Sequence, residues 1–147
     1  MNIYLACTVR GDRGAVGAAR VLAGALVSMG HGVLTAHLLD DNVETAEASL
    51  TERDVFERDM EWLSAADLLI AEASGSSYGV GFEVGYVLGR SDLTGQRVLL
   101  LYEAGRRPVV SRLISGNVHP NCTTYPYQDA EDLLRFVPSF LAPVPGC

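Results

Sequence analysis

The apolar run Leu68-Leu-Ile-Ala71 gives way to Ser74-Gly-Ser-Ser-Tyr-Gly-Val-Gly-Phe-Glu-Val-Gly85, and this junction constrains the fold more than any other stretch of the chain. A short continuous apolar run bounded by glycine and serine reads as a buried strand, and the small-residue pattern after it as a helix. The loop's backbone N–H groups can approach an anion closely, and the helix dipole favours negative charge there. A carboxylate, Glu83, lies inside the same element. An anion cradle beside an acid points to chemistry on a phosphorylated substrate.

The alternation recurs along the chain. Asn2–Val9 reads as a first apolar strand, punctuated by Arg10-Gly-Asp-Arg-Gly14. Val16, Ala19, Val21, Leu22, Leu26 and Met29 recur at helical spacing over Ala15–Met29, and Gly30 stops them. Gly32–His37 reads as a second strand, and Leu38–Leu50, without a clear period, as a loop near the mouth of a site. Thr51-Glu-Arg-Asp54 forms a capping box for a helix ending near Ala66, with Phe56, Met60 and Leu63 on its buried side. Leu68–Ala73 is the third strand, and the helix after the glycine loop spans about Val80 to Arg90. Gly81, Gly85 and Gly89 recur every fourth residue, which implies close helix-to-sheet packing. Arg97–Tyr102 is a fourth strand, Val109–Ile114 a short helix and Thr123–Tyr127 a fifth strand. Asp129 caps a last helix through Phe140, with Pro138 disturbing its end and a tail, Pro-Val-Pro-Gly-Cys147, beyond it. Continuous apolar strands alternating with helices predict a five-stranded parallel α/β sheet covered on both faces. Ligands of such sheets bind at the carboxyl ends of the strands.

The chain has 147 residues, which suits a single domain with a real core. Its formal net charge of −7 argues against nonspecific binding to nucleic acid, which needs a basic face. No apolar run approaches the ~20 residues that span a bilayer, so no membrane contact is expected. No basic segment precedes the apolar N-terminus, which reads as a strand and not as a signal peptide. Cys7, Cys122 and Cys147 show neither pairing nor CxxC spacing, which fits a reducing, cytoplasmic setting without disulfides or zinc.

Gly79-Val-Gly81 imitates part of a dinucleotide fingerprint, but Val84 stands where the third glycine belongs and the loop follows the third strand, not the first. An NAD site is therefore excluded. Glu83 has two readings: an acid favoured by the dipole of a first helical turn, or one facing a pocket between Phe82 and Val84. Asp59 stands among Glu52, Asp54, Glu57 and Glu61, a pattern of solvated faces. Its phase beside Phe56 and Leu63 equally lets it line the core edge and reach the top of the sheet. Thr8, Arg10 and Gly11 sit where the first strand ends, either as a phosphate clamp or as a solvated loop. Ser77 adds a hydroxyl in the glycine loop, and Ser111 is unremarkable by itself. His37 ends the second strand, His31 suits a turn and His119 a loop, and none has metal-ligand spacing.

Five segments occur in order: Tyr4-x-x-x-Thr8-Val-Arg-Gly11, Thr35-Ala-His37, Asp59-Met-Glu-Trp-Leu-x-x-Ala-Asp67, Ala71-Glu-Ala-Ser, and Ser77-Tyr-Gly-Val-Gly-Phe-Glu-Val-Gly85. Together, over about Ile3 to Ser111, they resemble the 2′-deoxynucleoside 5′-phosphate N-hydrolase family of the nucleoside 2-deoxyribosyltransferase superfamily. The resemblance implies a Rossmann-like (flavodoxin-like) sheet, a homodimer, and cleavage of the N-glycosidic bond of 2′-deoxynucleoside 5′-monophosphates with no metal or other cofactor. It makes Glu83 the motif glutamate, with Phe82 in place of a tyrosine, and Asp59 the aspartate of the Asp-x-Glu-Trp-Leu motif. Thr8 (a serine in the family), Arg10, Gly11 and Ser77 match phosphate contacts, and Val9, His37 and Gly79 fall in the same matching segments as substrate-binding positions. Ser111 matches a serine that reaches the phosphate in the neighbouring subunit's site, and Tyr4 a tyrosine near the sugar. Ala6-Cys7 departs from the family's Cys-Gly, Asp12 brings an acid to the phosphate loop, and Leu38–Leu50 does not align, so the base is not inherited.

The chemistry so implied puts the Glu83 carboxylate beneath an electron-poor anomeric carbon, as in retaining glycosidases, with Asp59 orienting it and shuttling a proton. Water then releases 2-deoxyribose 5-phosphate. A ribonucleotide or modified-base substrate, a deoxyribosyltransferase and a non-catalytic nucleotide sensor are the alternatives.

Overall fold

Side chains along each central strand alternate between two apolar layers. In β1 (Asn2–Ala6), Ile3 and Leu5 enter one layer and Tyr4 and Ala6 the other. In β3 (Leu68–Glu72), Leu68 and Ile70 oppose Leu69 and Ala71, and in β4 (Arg97–Glu103), Leu99 and Leu101 oppose Val98 and Leu100. The computed structural model describes residues 1–142, so the expected tail lies outside the described residues. β2 (Gly32–Val33) and β5 (Cys122–Tyr127) flank the central strands in the order β2-β1-β3-β4-β5, every pair parallel. α1 (Val16–Ser28) and α7 (Ala130–Leu141) cover the first layer, and α3 (Glu52–Ala65) and α4 (Tyr78–Leu88) the second. The sheet is therefore five-stranded, wholly parallel and dressed on both faces, as expected. Three short helices complete the chain: α2 (Val43–Glu47), α5 (Ser91–Thr94) and α6 (Arg112–Ser115).

Side-chain caps open α3, α4 and α7. Thr51 Oγ1 accepts from the Asp54 amide at 3.1 Å and Asp54 returns the bond to the Thr51 amide at 2.9 Å, the expected capping box of α3. Asp129 accepts from the Asp132 amide at 2.9 Å and opens α7.

Several expectations are corrected. The second strand stops at Val33, because the Thr35 hydroxyl takes over the ladder, donating to Leu5 O at 2.6 Å and accepting from Leu5 N at 3.0 Å. His37 consequently sits in a 3-10 turn, Ala36–Leu39, and not on a strand. The segment read as a loop carries α2, docked through buried Val43. α4 begins at Tyr78, so Gly79 is helical and Glu83 lies in the second turn, beyond the strongest part of the terminal dipole. Gly81 and Gly85 do not pack on the sheet: a Cβ at either meets nothing within 4 Å, and Val80, Val84, Val87 and Leu88 make the buried face. Phe56 is exposed and rests against Phe82, ring centroids 6.3 Å apart. The short helix read at Val109–Ile114 starts only at Arg112. α7 runs past Pro138 to Leu141.

Candidate active site

The carboxyl ends of β1 and β3, α2 and the facing sides of α3 and α4 enclose a cleft of about 600 Å³. Of the acids that line it, Asp59 comes from the second half of α3 and Glu83 from α4. The Tyr4 hydroxyl, fully buried at the centre of β1, donates to Glu83 Oε1 at 2.5 Å. Burial pushes the Glu83 carboxyl up to about 7; the Tyr4 bond opposes the shift, and the charge of Asp59 adds to it. Burial and the neighbouring Glu83 raise the Tyr4 phenol, which therefore stays a donor. Burial also raises Asp59, against the pull of Arg58.

Arg58 joins two walls of the cleft. Its Nε donates to Asp59 Oδ1 at 2.9 Å, and its Nη2 lies 2.7 Å from Glu47 Oε1 on α2. The guanidinium stands 4.9 Å from the centre of the Trp62 ring. His37 Nε2 approaches the same Glu47 oxygen at 3.2 Å, with its ring edge toward Trp62. Burial disfavours the Arg58 charge, but the bonds to Asp59 and Glu47 outweigh it and hold the group more firmly protonated.

At the other end of the cleft Ser77 caps α4, its Oγ accepting from Val80 N at 3.2 Å. Gly75 is pressed onto the first loop, where a Cβ would collide with Asp12 O and stand 2.9 Å from Thr8 Oγ1. Thr8 Oγ1 is itself buried and has no hydrogen-bond partner among the described residues. Arg13 staples this loop through the carbonyls of Thr8 (3.0 Å), Leu38 (3.2 Å) and Asp40 (3.0 Å). Asp12 is turned away by its pairing with Arg106. The Gly14 amide first and Arg106 second keep its carboxyl below the usual range. Arg10 is almost wholly exposed, 3.8 Å from Glu44.

Val9, Arg10, Asp59, Ser77, Gly79 and Glu83 thus line one cleft. Tyr4 enters it through Glu83 and His37 through Glu47. Thr8 and Gly11 are not among the lining residues: Thr8 is buried and Gly11 exposed, where a Cβ on Gly11 would touch Ser76 O and Thr8 Cγ2 at 3.8 Å. Ser111 is not brought to the cleft; it lines a second cavity of about 650 Å³ that shares Ser77, Tyr78 and Val80 with the first. Sequence reasoning missed Arg58, Glu47 and Arg13 as parts of the site. The adjacency of Arg58 to Asp59 was the one visible signal, since Glu47 lay in a segment read as a loop and Arg13 serves backbone carbonyls that no side-chain motif reveals.

Residues 3–116 match the profile of a family described as nucleoside 2-deoxyribosyltransferase. A Thermofilum pendens protein named "Putative 2′-deoxynucleoside 5′-phosphate N-hydrolase 1" is 40% identical over 141 residues, 96% of this chain and 95% of that protein. The "5-hydroxymethyl-dUMP N-hydrolase" of Danio rerio is 32% identical over 117 residues, 79% of this chain and 78% of that one. In fold the chain is similar to the solved structure of a Clostridium botulinum CMP N-glycosidase, with a TM-score of 0.69 at 20% identity over 96% of this chain and 100% of the other.

Proposed function

The chain belongs to the nucleoside 2-deoxyribosyltransferase family, and from that premise we propose that it is an N-glycosidase that hydrolyses (2′-deoxy)nucleoside 5′-monophosphates to free base and (2-deoxy)ribose 5-phosphate. The observation that carries this is the Glu83 carboxyl, held by the Tyr4 hydroxyl inside a cleft that also contains Asp59. Tyr4 occupies Oε1 and leaves Oε2 to bond the anomeric carbon. As that bond forms, the bond to the base breaks, its electron pair leaves on the base nitrogen, and a proton from Asp59 neutralises it. Water then gives a proton to Asp59 and its oxygen to the anomeric carbon, freeing Glu83. The reacting form pairs ionised Glu83 with protonated Asp59, so the pH profile is bell-shaped, with one limb set by Glu83, held up at about 7, and the other by the proton of Asp59.

The 5′-phosphate belongs at the capped end of α4. There Ser77, the Gly79 amide, Val9 and Arg10, which line the cleft, can gather around a dianion, with Gly11 exposed in the adjoining loop and the unpartnered Thr8 hydroxyl buried beneath it. Ser111 comes to that phosphate from a second copy of the chain in a homodimer. Tyr78 and Phe82, exposed on α4, and the open flank at Gly81 and Gly85 support an approach along this face. No helix among the described residues is long and apolar enough to cross a membrane. A reducing cytoplasm suits Cys7, whose thiol burial pushes up to about 11 and keeps neutral.

The test is a panel of deoxy- and ribonucleoside 5′-monophosphates and their unphosphorylated nucleosides, scored for free base by chromatography. Monophosphates turn over and nucleosides do so poorly, because binding the remote dianion positions the reacting carbon. Glu83→Ala keeps the fold and loses hydrolysis. Equal turnover with and without phosphate, or an active Glu83→Ala protein, overturns the assignment.

A further inference from the structure

Asp59 is one end of a line of paired charges that crosses from α2 to α3. Side chains adjacent in a helix point apart, so the 2.9 Å bond from Arg58 Nε to Asp59 is not imposed by their position in α3. Two outside contacts hold the guanidinium there: Glu47 Oε1, 2.7 Å from Nη2, and the Trp62 ring at 4.9 Å. Both partners of the bridge are largely withdrawn from water, with side-chain exposures of 21% for Arg58 and 16% for Glu47. Glu47 also ends α2, a five-residue helix too short to persist by its own hydrogen bonds. Beyond buried Val43, it is Glu47 that fastens this wall of the cleft to α3.

We propose that Arg58 is a positioning residue: bridged to Glu47 and stacked on Trp62, it fixes the Asp59 carboxylate beside Glu83 and clamps α2 over the cleft. The consequence for turnover rests on the N-glycosidase reading above, whereas the geometry does not.

The groups facing Asp59 set the sign of the effect. Arg58 and His37 favour its ionised form and Glu47 opposes it; Asp59 in turn raises Glu83 and the Tyr4 phenol. The two carboxyls therefore titrate as a pair. Removing the Arg58 cation raises both apparent pKa values of the pair, and neutralising Glu47 does the same where it releases Arg58 from Asp59. A Glu47 that acted by its charge alone would displace the pair the opposite way.

The experiment compares Arg58→Met, Arg58→Lys and Glu47→Gln with wild type in two measurements. One is the pH profile of kcat/KM on a nucleoside monophosphate that the wild type cleaves. The other is the NMR titration of the Asp59 and Glu83 carboxyl carbons, which needs no turnover. Arg58→Met displaces profile and titrations to higher pH by about one unit. Glu47→Gln displaces them in the same direction, because Arg58 is no longer held on Asp59. Arg58→Lys leaves them in place and loses kcat, because an ammonium keeps the charge without the fork. A displacement to lower pH in Glu47→Gln, or a uniform loss of activity with unmoved titrations, overturns the proposal. A wild type that cleaves no nucleotide overturns the functional reading alone, since NMR displacements of one sign in Arg58→Met and Glu47→Gln would still uphold the bridge.

Discussion

Burial holds the Glu83 carboxyl up at about 7 although the Tyr4 hydroxyl donates to it, so desolvation outweighs a short hydrogen bond at this residue. A group whose folded pKa is raised contributes its stabilisation fully below the unfolded value and loses it as pH climbs through the folded one. For Glu83 that loss runs from about 4.3 in the unfolded chain to about 7 in the folded one. Glu83→Gln keeps an oxygen for Tyr4 and cannot ionise. Its stability relative to wild type therefore improves by roughly 1–2 kcal/mol between about pH 5.5 and about pH 8.5, while hydrolysis is lost. Urea unfolding at the two pH values measures this. A gap that stays constant with pH means that Glu83 is solvated in the folded protein.

α4 presents two unlike faces at the scale of the element. Val80, Val84, Val87 and Leu88 face the sheet, while Gly81 and Gly85 lie open. A glycine with no packing role inside a helix costs about 0.5–1 kcal/mol relative to alanine. Gly85→Ala is therefore expected to raise the stability of the isolated subunit by that amount in urea unfolding, and a loss would show that another backbone lies close there. The same helix shows what the sequence could and could not convey. Capped starts such as Thr51 and Asp129, and the apolar runs of β1, β3 and β4, were legible because neighbours within a few residues decide them. Which side of α4 faces the sheet is set by the packing of Val80, Val84, Val87 and Leu88 in the core, which the four-residue recurrence of its glycines does not reveal. β2 was overread because the Thr35 hydroxyl ends its ladder by bonding Leu5, thirty residues away. α2 was underread because Val43 in the core and Glu47 on Arg58 hold it in place of a helical period. Glu83 and Asp59 were visible as acids near strand ends, yet the bridge that steadies Asp59 joins two elements and leaves no local pattern.

Considered as a whole, the molecule keeps Tyr4, Glu83 and Asp59 together at one cleft and places Ser111 at the start of α6, beside a second cavity that shares Ser77, Tyr78 and Val80 with the first. Tyr78, Leu113 and Val109 stand exposed around that cavity, and they are large apolar groups that a second copy could cover. If Ser111 serves the neighbouring site, the two halves of the machinery can be separated and recombined. A Glu83→Ala protein lacks the nucleophile, and a Ser111→Asp protein sets a negative charge against the substrate phosphate. In a two-fold dimer mixed from both, one site pairs Glu83 of one subunit with Ser111 of the other and is intact, while its companion carries both lesions. Co-refolding equal amounts should therefore restore about a quarter of wild-type activity per subunit, since half the dimers are mixed and each has one working site. Restoration from two inactive parents requires the shared site. A mixture no more active than its parents means that Ser111 does not serve a neighbouring site.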